Sequence, residues 1–223
     1  MLLTVGCKVL CKIILERMKD ALDGRLRDEQ AEFRKERSCC DQKASLRTIV
    51  EQTLEWNTRL YMVFVDFEKA FDSIDREVVW KILRHYWVTE KIVRMIRFFH
   101  DGFQARVLHE GEITGSFSMN TGVRQGCLLS PLLFVMALDW VSRQAFGDNR
   151  TGIQFTLLQK LRDVDFTDDM VLPSQKITHT RQKFAPLVEQ VARVGLKINA
   201  FKTREMSIGL HIPRQPYHHH RRH

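Results

Sequence analysis

The apolar run Leu60-Tyr61-Met62-Val63-Phe64-Val65 ends on Asp66, and far downstream a second short apolar stretch is broken by Phe166-Thr167-Asp168-Asp169. A buried strand that ends on a carboxylate has to bring a cation to it, because desolvating an unpaired charge costs far more than a packing contact returns. That cation is a basic side chain or a divalent metal, and two hard ions held about 3.5 to 4 Å apart by shared carboxylates are the usual device for in-line phosphoryl transfer. Taken alone, Asp168-Asp169 reads equally well as a solvated hairpin tip, since Asp favours turns. Its combination with Asp66 raises the metal reading.

The 223 residues and 44% hydrophobic content suit one globular domain, or one domain with an appendage, around a real core. A formal charge of +8 and a pI near 9.4 leave a surplus of Lys and Arg that a polyanion neutralises with release of counterions. Solubility alone also accounts for such a charge, so the partner has to come from motifs. Cys7, Cys11, Cys39, Cys40 and Cys127 are an odd set with no CxxC pair and no paired His spacing, which argues for idle thiols in a reducing compartment rather than a disulfide framework or zinc site. The apolar start Met1 to Leu15 is interrupted by Lys8 and Lys12 and lacks a small-residue cleavage site. Cys127 to Leu138 contains Ser130 and Pro131 and is too short to span a bilayer. A soluble intracellular protein with no membrane partner is expected, with nucleus or cytoplasm left open.

Along the chain, Val9, Ile13, Ile14, Arg17 and Met18 fit a helix with an apolar stripe that ends near Asp23-Gly24. Arg34, Lys35 and Arg37 precede a second helical pattern, Leu46, Ile49, Val50, Thr53 and Leu54; that basic cluster suits phosphates or simply a solvated face. After Asp66, Ser73 or Asp75 can cap a helix whose inner face is Val78, Val79, Ile82, Leu83 and Tyr86, and Ile92, Ile96 and Phe99 continue the helical spacing. Residues 105–108 and 112–119 read as a hairpin. In Asn120 to Pro131, Gly122 and Gly126 allow close backbone approach, Arg124 and Gln125 offer donors, and Ser130-Pro131 reads as an N-cap followed by proline at the first helical position of a helix whose apolar body is Leu132 to Leu138. Asp163 and Asp165 read as surface charge. Ile177, Phe184, Leu187, Val188, Val191 and Val194 form a stripe interrupted by Pro186 and ended by Gly195, and Leu196-Lys197-Ile198-Asn199 starts a further strand with Lys202 just beyond it.

In this order the segments resemble the reverse transcriptase domain of non-LTR (LINE-like) retrotransposons, from about Lys8 to Ile208. Val65-Asp66-Phe67-Glu68-Lys69-Ala70-Phe71-Asp72 is similar to the family's first palm motif, and Thr121 to Cys127 with Ser130-Pro131-Leu132 to the second. Phe166-Thr167-Asp168-Asp169 is similar to the third, and Gly195 to Asn199 with Lys202-Thr203 to the fourth. Asp28 to Ser38 with Asp41-Gln42 resembles the fingers segment.

The resemblance implies an α+β fold: a palm of antiparallel strands backed by helices with a partial, mainly helical fingers region and no thumb. Residues 1–58 would be partial fingers, 59–210 palm with interleaved fingers elements, and 211–223, rich in His and Arg, a disordered tail. It implies RNA-directed DNA synthesis, with RNA template, DNA primer and dNTPs as partners and two Mg²⁺ ions as cofactors, for which Mn²⁺ may substitute. Asp66, Asp168 and Asp169 would be catalytic, with Asp66, Asp168 and the Phe67 carbonyl as metal ligands. Phe71 would gate the sugar, Gln125 and Gly126 would lie under template and incoming base, Arg34 would meet template, and Lys202 would donate a proton to departing pyrophosphate. The family usually has glycine where this chain has Glu32 and Glu36, alanine at Thr167, an apolar residue at Lys43 and glycine at Trp87. A full-length element would add an endonuclease and a thumb. The alternative is a truncated, catalytically silent remnant that at most binds nucleic acid.

Overall fold

The computed structural model describes residues 4–22, 24–27, 39–102, 104–124, 126–147, 152–154, 160–161, 163–166 and 169–209. Two helices, α1 (Val5–Leu22) and α2 (Cys39–Glu55), lead into β1 (Leu60–Asp66). There follow a short α3 (Ala70–Ser73), α4 (Arg76–His85) and α5 (Glu90–His100). Two small two-stranded pairings come next, β2 (Gln104–Ala105) with β5 (Phe117–Ser118) and, inside it, β3 (Leu108–His109) with β4 (Glu112–Ile113). α6 (Ser130–Phe146) precedes β6 (Ile153–Gln154) and β7 (Lys160–Leu161), then β8 (Val164–Phe166), β9 (Asp169–Ser174), α7 (Ile177–Arg193) and β10 (Arg204–Ile208). The main sheet is antiparallel in the order β10-β1-β9-β8.

β1 and β9 are the central strands, and residues on both faces of each are buried, in keeping with their largely apolar sequences. Leu60, Met62, Val65, Met170 and Leu172 are each at most 1% exposed. Pro173 is tolerated inside β9 because β8 pairs only with residues 169–171. Its carbonyl accepts from the buried Nζ of Lys183 at 2.8 Å, so the edge that lacks an N–H needs no ladder partner. α6 is the helix at the centre of the core: Leu132 to Leu138 are each at most 1% exposed. Each fully buried side chain of this size contributes on the order of 1.5–3 kcal/mol.

Several expectations need revision. In α1 the buried stripe is Cys11, Ile14, Leu15, Met18 and Leu22, whereas Val9 and Ile13 are 55% and 46% exposed. Leu54 and Val188 likewise face outward, and Lys43 is exposed on α2. Of the two proposed caps, Asp75 is the one used: its Oδ1 accepts from the Val78 N–H at 3.1 Å, while the Ser73 hydroxyl donates to the Glu68 carbonyl. Ser130 does not cap α6. It is the first helical residue, and its hydroxyl donates to the Arg124 carbonyl at 2.6 Å, tying the preceding loop to the helix start. Leu196 to Asn199 make one isolated bridge, Phe67 with Ile198, and the strand itself starts later, at Arg204. α7 continues through Pro186. The described thiols of Cys7, Cys11, Cys40 and Cys127 are free. The Sγ atoms of Cys11 and Cys127 lie 3.8 Å apart, and burial, then the neighbouring Cys127, push the Cys11 pKa up to about 12. The basic cluster at 34–37, Glu32, Glu36, and the tail at 211–223 lie outside the described residues.

Arg76 fastens the small strands to the rest. Its Nε donates to the Gly122 carbonyl (2.7 Å), Nη1 to those of His100 (3.0 Å) and Met119 (2.7 Å), and Nη2 to that of Thr121 (3.0 Å). One planar guanidinium thereby satisfies carbonyls from two segments, a task for which an ammonium has too few fixed donors. Beside it, His100 is fully buried, with Nδ1 at 2.9 Å from the Ile96 carbonyl and Nε2 without a hydrogen-bond partner among the described residues. Burial holds its pKa below the usual imidazole value; the Ile96 carbonyl and Asp101 oppose that shift, and the charges of Arg76 and Arg124 add to it.

α2, α4 and α7 end alike, on a left-handed residue whose N–H, with the next one, bonds back into the last turn. At α2 this residue is Asn57 (φ 49), with Asn57 bonded to Leu54 and Thr58 to Thr53. At α7 it is Gly195 (φ 81), with bonds to Ala192 and Val191. At α4 it is Trp87 (φ 62), bonded to Arg84, with Val88 bonded to Leu83. A Cβ in this region is strained, and the indole, 79% exposed, returns little burial for it.

Trp87→Gly should therefore raise stability by about 1 kcal/mol, read as a higher urea midpoint with unchanged slope. A second expectation concerns acid. The unfolded chain takes up the His100 proton near pH 6.5, the folded chain only at lower pH, so stability present above about pH 6.5 is lost as pH falls. Urea midpoints at about pH 7.5 and about pH 5.5 should differ more for the wild type than for His100→Gln.

Candidate active site

The register of the central strands places Asp66 directly opposite Asp169. Directly opposed residues on antiparallel strands share a face with Cβ atoms about 4.5–5.5 Å apart, and like charges so placed repel. Phe166 pairs with Asp169 in turn, so the antiparallel pairing of β8 with β9 runs up to the residues on either side of 167–168. Asp168 itself, with Thr167, lies outside the described residues, as do Gln125 and Arg34.

Asp66 is held through its backbone. Its carbonyl accepts from the Asn199 N–H at 2.8 Å, and its N–H donates to the Thr203 hydroxyl at 3.4 Å. Asn199 also builds the turn that follows, its Oδ1 accepting from the N–H groups of Phe201 (3.1 Å) and Lys202 (3.3 Å). Both Asn199 and Thr203 belong to the segment similar to the fourth motif, and their hold on Asp66 is a role the motif alone does not assign. The signal was local, since Asn bonds to the backbone two and three residues on in this kind of turn.

The side chain of Asp66 is 25% exposed; its Oδ2 lies 3.6 Å from Lys202 Nζ, and its Oδ1 is buried with no hydrogen-bond partner among the described residues. Lys202 is 69% exposed, so its ammonium sits at the solvent edge and contributes little as an ion pair. A buried carboxylate oxygen without a donor, facing a second carboxylate across the strand pair, suits a hard cation that takes oxygen ligands. These residues therefore fit a divalent metal. Among the described residues no group of three or more His, Cys, Asp or Glu gathers as a metal cluster.

The rest of the expected site converges on the loop after β1. Phe71 is half-buried, its ring centroid 4.9 Å from that of Phe134 on α6, while Phe67 meets Phe134 edge-on at 6.4 Å. The Val123 N–H donates to the Phe71 carbonyl (2.7 Å), the Gly122 N–H to that of Ile74 (2.8 Å), and the Thr121 hydroxyl to that of Asp72 (3.1 Å). From the other side the Glu68 N–H donates to Lys197 (2.8 Å) and the Asp75 N–H to Val194 (2.9 Å). Gly126 is left-handed, with φ 81. Gly122 is required twice over: its φ is 76, and a Cβ there would lie 2.6 Å from the Asp72 backbone.

A family model for reverse transcriptase (RNA-dependent DNA polymerase) matches residues 1–220. The chain belongs to the reverse transcriptase family. Relatives include the Pol polyprotein of the type-2 retrotransposable element R2DM of Drosophila melanogaster, 24% identical over 74% of this chain and 15% of the relative. Another is the Pol polyprotein of the type-1 retrotransposable element R2 of Popillia japonica, 24% identical over 69% of this chain and 26% of the relative. The match thus spans 15% and 26% of the length of these relatives. The fold is shared with a telomerase from Candida tropicalis solved with a TWJ fragment of telomeric RNA, at a TM-score of 0.65 and 14% identity, over 88% of this chain and 33% of that one. The α+β architecture, with helices packed against an antiparallel sheet, is that of a reverse transcriptase palm. Reverse transcriptases are in general divalent-metal dependent. Among the described residues no helix is long and apolar enough to cross a membrane.

Gly122→Ala should lower stability by roughly 2 kcal/mol or more, because strain and steric overlap act together. Gly111→Ala is the control: it is also left-handed, with φ 85, but a Cβ there meets nothing within 4 Å. Thermal unfolding of the two variants should separate the share due to the Asp72 contact.

Proposed function

We propose that this chain carries the RNA-directed DNA polymerase site of a non-LTR retrotransposon, with residues 1–58 as partial fingers and 59–210 as palm. The observation that carries the reading is the opposition of Asp66 and Asp169 with Asp66 Oδ1 left without a donor. Family membership and a shared fold with an RNA-bound telomerase support an RNA template as partner, and the chain's charge of +8 suits it.

In this reading Asp66, Asp168 and the Phe67 carbonyl hold two Mg²⁺ ions, with Mn²⁺ able to replace them, and Asp169 supports the pair. When bound, such ions stabilise the attacking and leaving oxygens of an in-line displacement at a dNTP α-phosphate. The chain's residues do the rest. Asn199 and Thr203 hold the Asp66 backbone, fixing where its carboxylate meets the primer end. Phe71, braced against Phe134, presents a bulky ring where a ribose 2′ hydroxyl would clash, favouring deoxynucleotides. Gln125 and Gly126 lie under template and incoming base, and Arg34 meets template phosphate. Lys202, tethered by Asn199 and near Asp66, holds a proton within reach of departing pyrophosphate.

The charge of +8 equally suits a second reading, that of a silent remnant that binds nucleic acid without extending it. Primer extension on poly(rA)/oligo(dT) with Mg²⁺ or Mn²⁺ decides between them. Extension by the wild type, falling at least about a thousandfold in Asp66→Asn and Asp168→Asn, is the expected result. Retained filter binding with no extension in any divalent ion would establish the remnant instead.

A further inference from the structure

Asp163 was read as surface charge, yet it is fully buried, and so is Asp139 on α6. Between them lies Arg27, 11% exposed. Its backbone N–H and Nε both donate to Asp139 Oδ1 at 3.0 Å, and Nη1 donates to Asp163 Oδ1 and Oδ2 at 2.9 and 2.8 Å. The other oxygen of Asp139 accepts from the Tyr86 hydroxyl and from Arg143 Nε at 2.8 Å. Arg143 Nη2 reaches the Arg25 carbonyl, and Arg25 Nη1 the Tyr86 carbonyl, each at 2.6 Å. Two buried carboxylates thus face two guanidiniums, Arg27 mostly buried and Arg143 38% exposed. Asp163, however, has Arg27 as its only hydrogen-bonded cation among the described residues.

The location gives the cluster its meaning. Asp163 is the residue before β8, β8 pairs with β9 only as far as the acidic turn, and Asp169 at that turn faces Asp66. β8 is an edge strand of three residues, too short to hold its register alone. We infer that Arg27 is a positioning residue, which pins the start of β8 to α6 and thereby sets where the acidic turn stands relative to Asp66. A carboxylate as fully buried as Asp163 does not tolerate loss of its partner, so the strand it begins must move toward water when Arg27 is shortened. The inference rests on the polymerase reading for its consequence in catalysis, but not for its test.

That test is amide hydrogen exchange on the whole chain, followed by mass spectrometry. In Arg27→Ala, peptides spanning 164–174 should exchange about tenfold or more faster, while those spanning β10 at 204–208 stay unchanged. Arg27→Lys should fall between, since an ammonium cannot fork to both carboxylates, and low-millimolar guanidinium should restore protection in Arg27→Ala. Unchanged protection at 164–174, an equal rise in every segment, or no restoration by guanidinium would each overturn the inference. If Arg27→Ala does not fold, Arg27→Lys is read by the same comparison. If Arg27→Ala shows this exchange pattern while the wild-type protein extends no primer, the polymerase reading falls and Arg27 keeps its role.

Discussion

Residues 66–75 leave the sheet and must find partners for backbone groups that no ladder supplies. They find them in two stretches that lie far along the chain, residues 121–123 on one side and 194–199 on the other. The loop that follows Asp66 is placed through these bonds, so the site is where the fold closes rather than something added to it. The close contacts explain two of the glycines. A side chain at Gly122 would meet the Asp72 backbone and one at Gly195 the backbone of Ser73 and Asp75.

Charge does its work in the interior. Arg76 and Arg27 each join segments remote in sequence, the first through carbonyls and the second through carboxylates. Exposed pairs such as Arg47 with Glu51 or Arg193 with Glu189 lie within single helices and add little. The buried Tyr86 phenol shows the same environment: burial, then the Asp139 charge, push its pKa well up.

Much of this was legible because the signals are local. The limits of β1, the Asp75 cap, the turn at Gly195 and the apolar body of α6 follow from neighbours within a few residues. What failed depended on distant partners. Val9 and Ile13 are as apolar as Ile14 and Met18, and only the position of the core relative to α1 decides which face is covered. Asp163 looked solvated because the guanidinium that neutralises it stands 136 positions earlier. Ser130 before Pro131 has the composition of a cap, but the Arg124 carbonyl lies within reach and takes its hydroxyl instead. For the site, the sequence joins Asp66 to Asp168, which lies outside the described residues; the strand register sets Asp66 opposite Asp169, and the anchoring of Asp66 by Asn199 and Thr203 needed coordinates.

β1 is paired on both edges, from Leu60 with Ile208 to Asp66 with Asp169. Because side chains alternate faces along a strand, one residue inserted or deleted within β1 would turn the carboxylate to the opposite side of the sheet. The length of this strand is therefore fixed to the residue by chemistry as well as by packing, while the exposed hairpin at 104–118 is free of that restriction. Drift in a lineage of such sequences should leave β1 ungapped and gather its length changes in that hairpin.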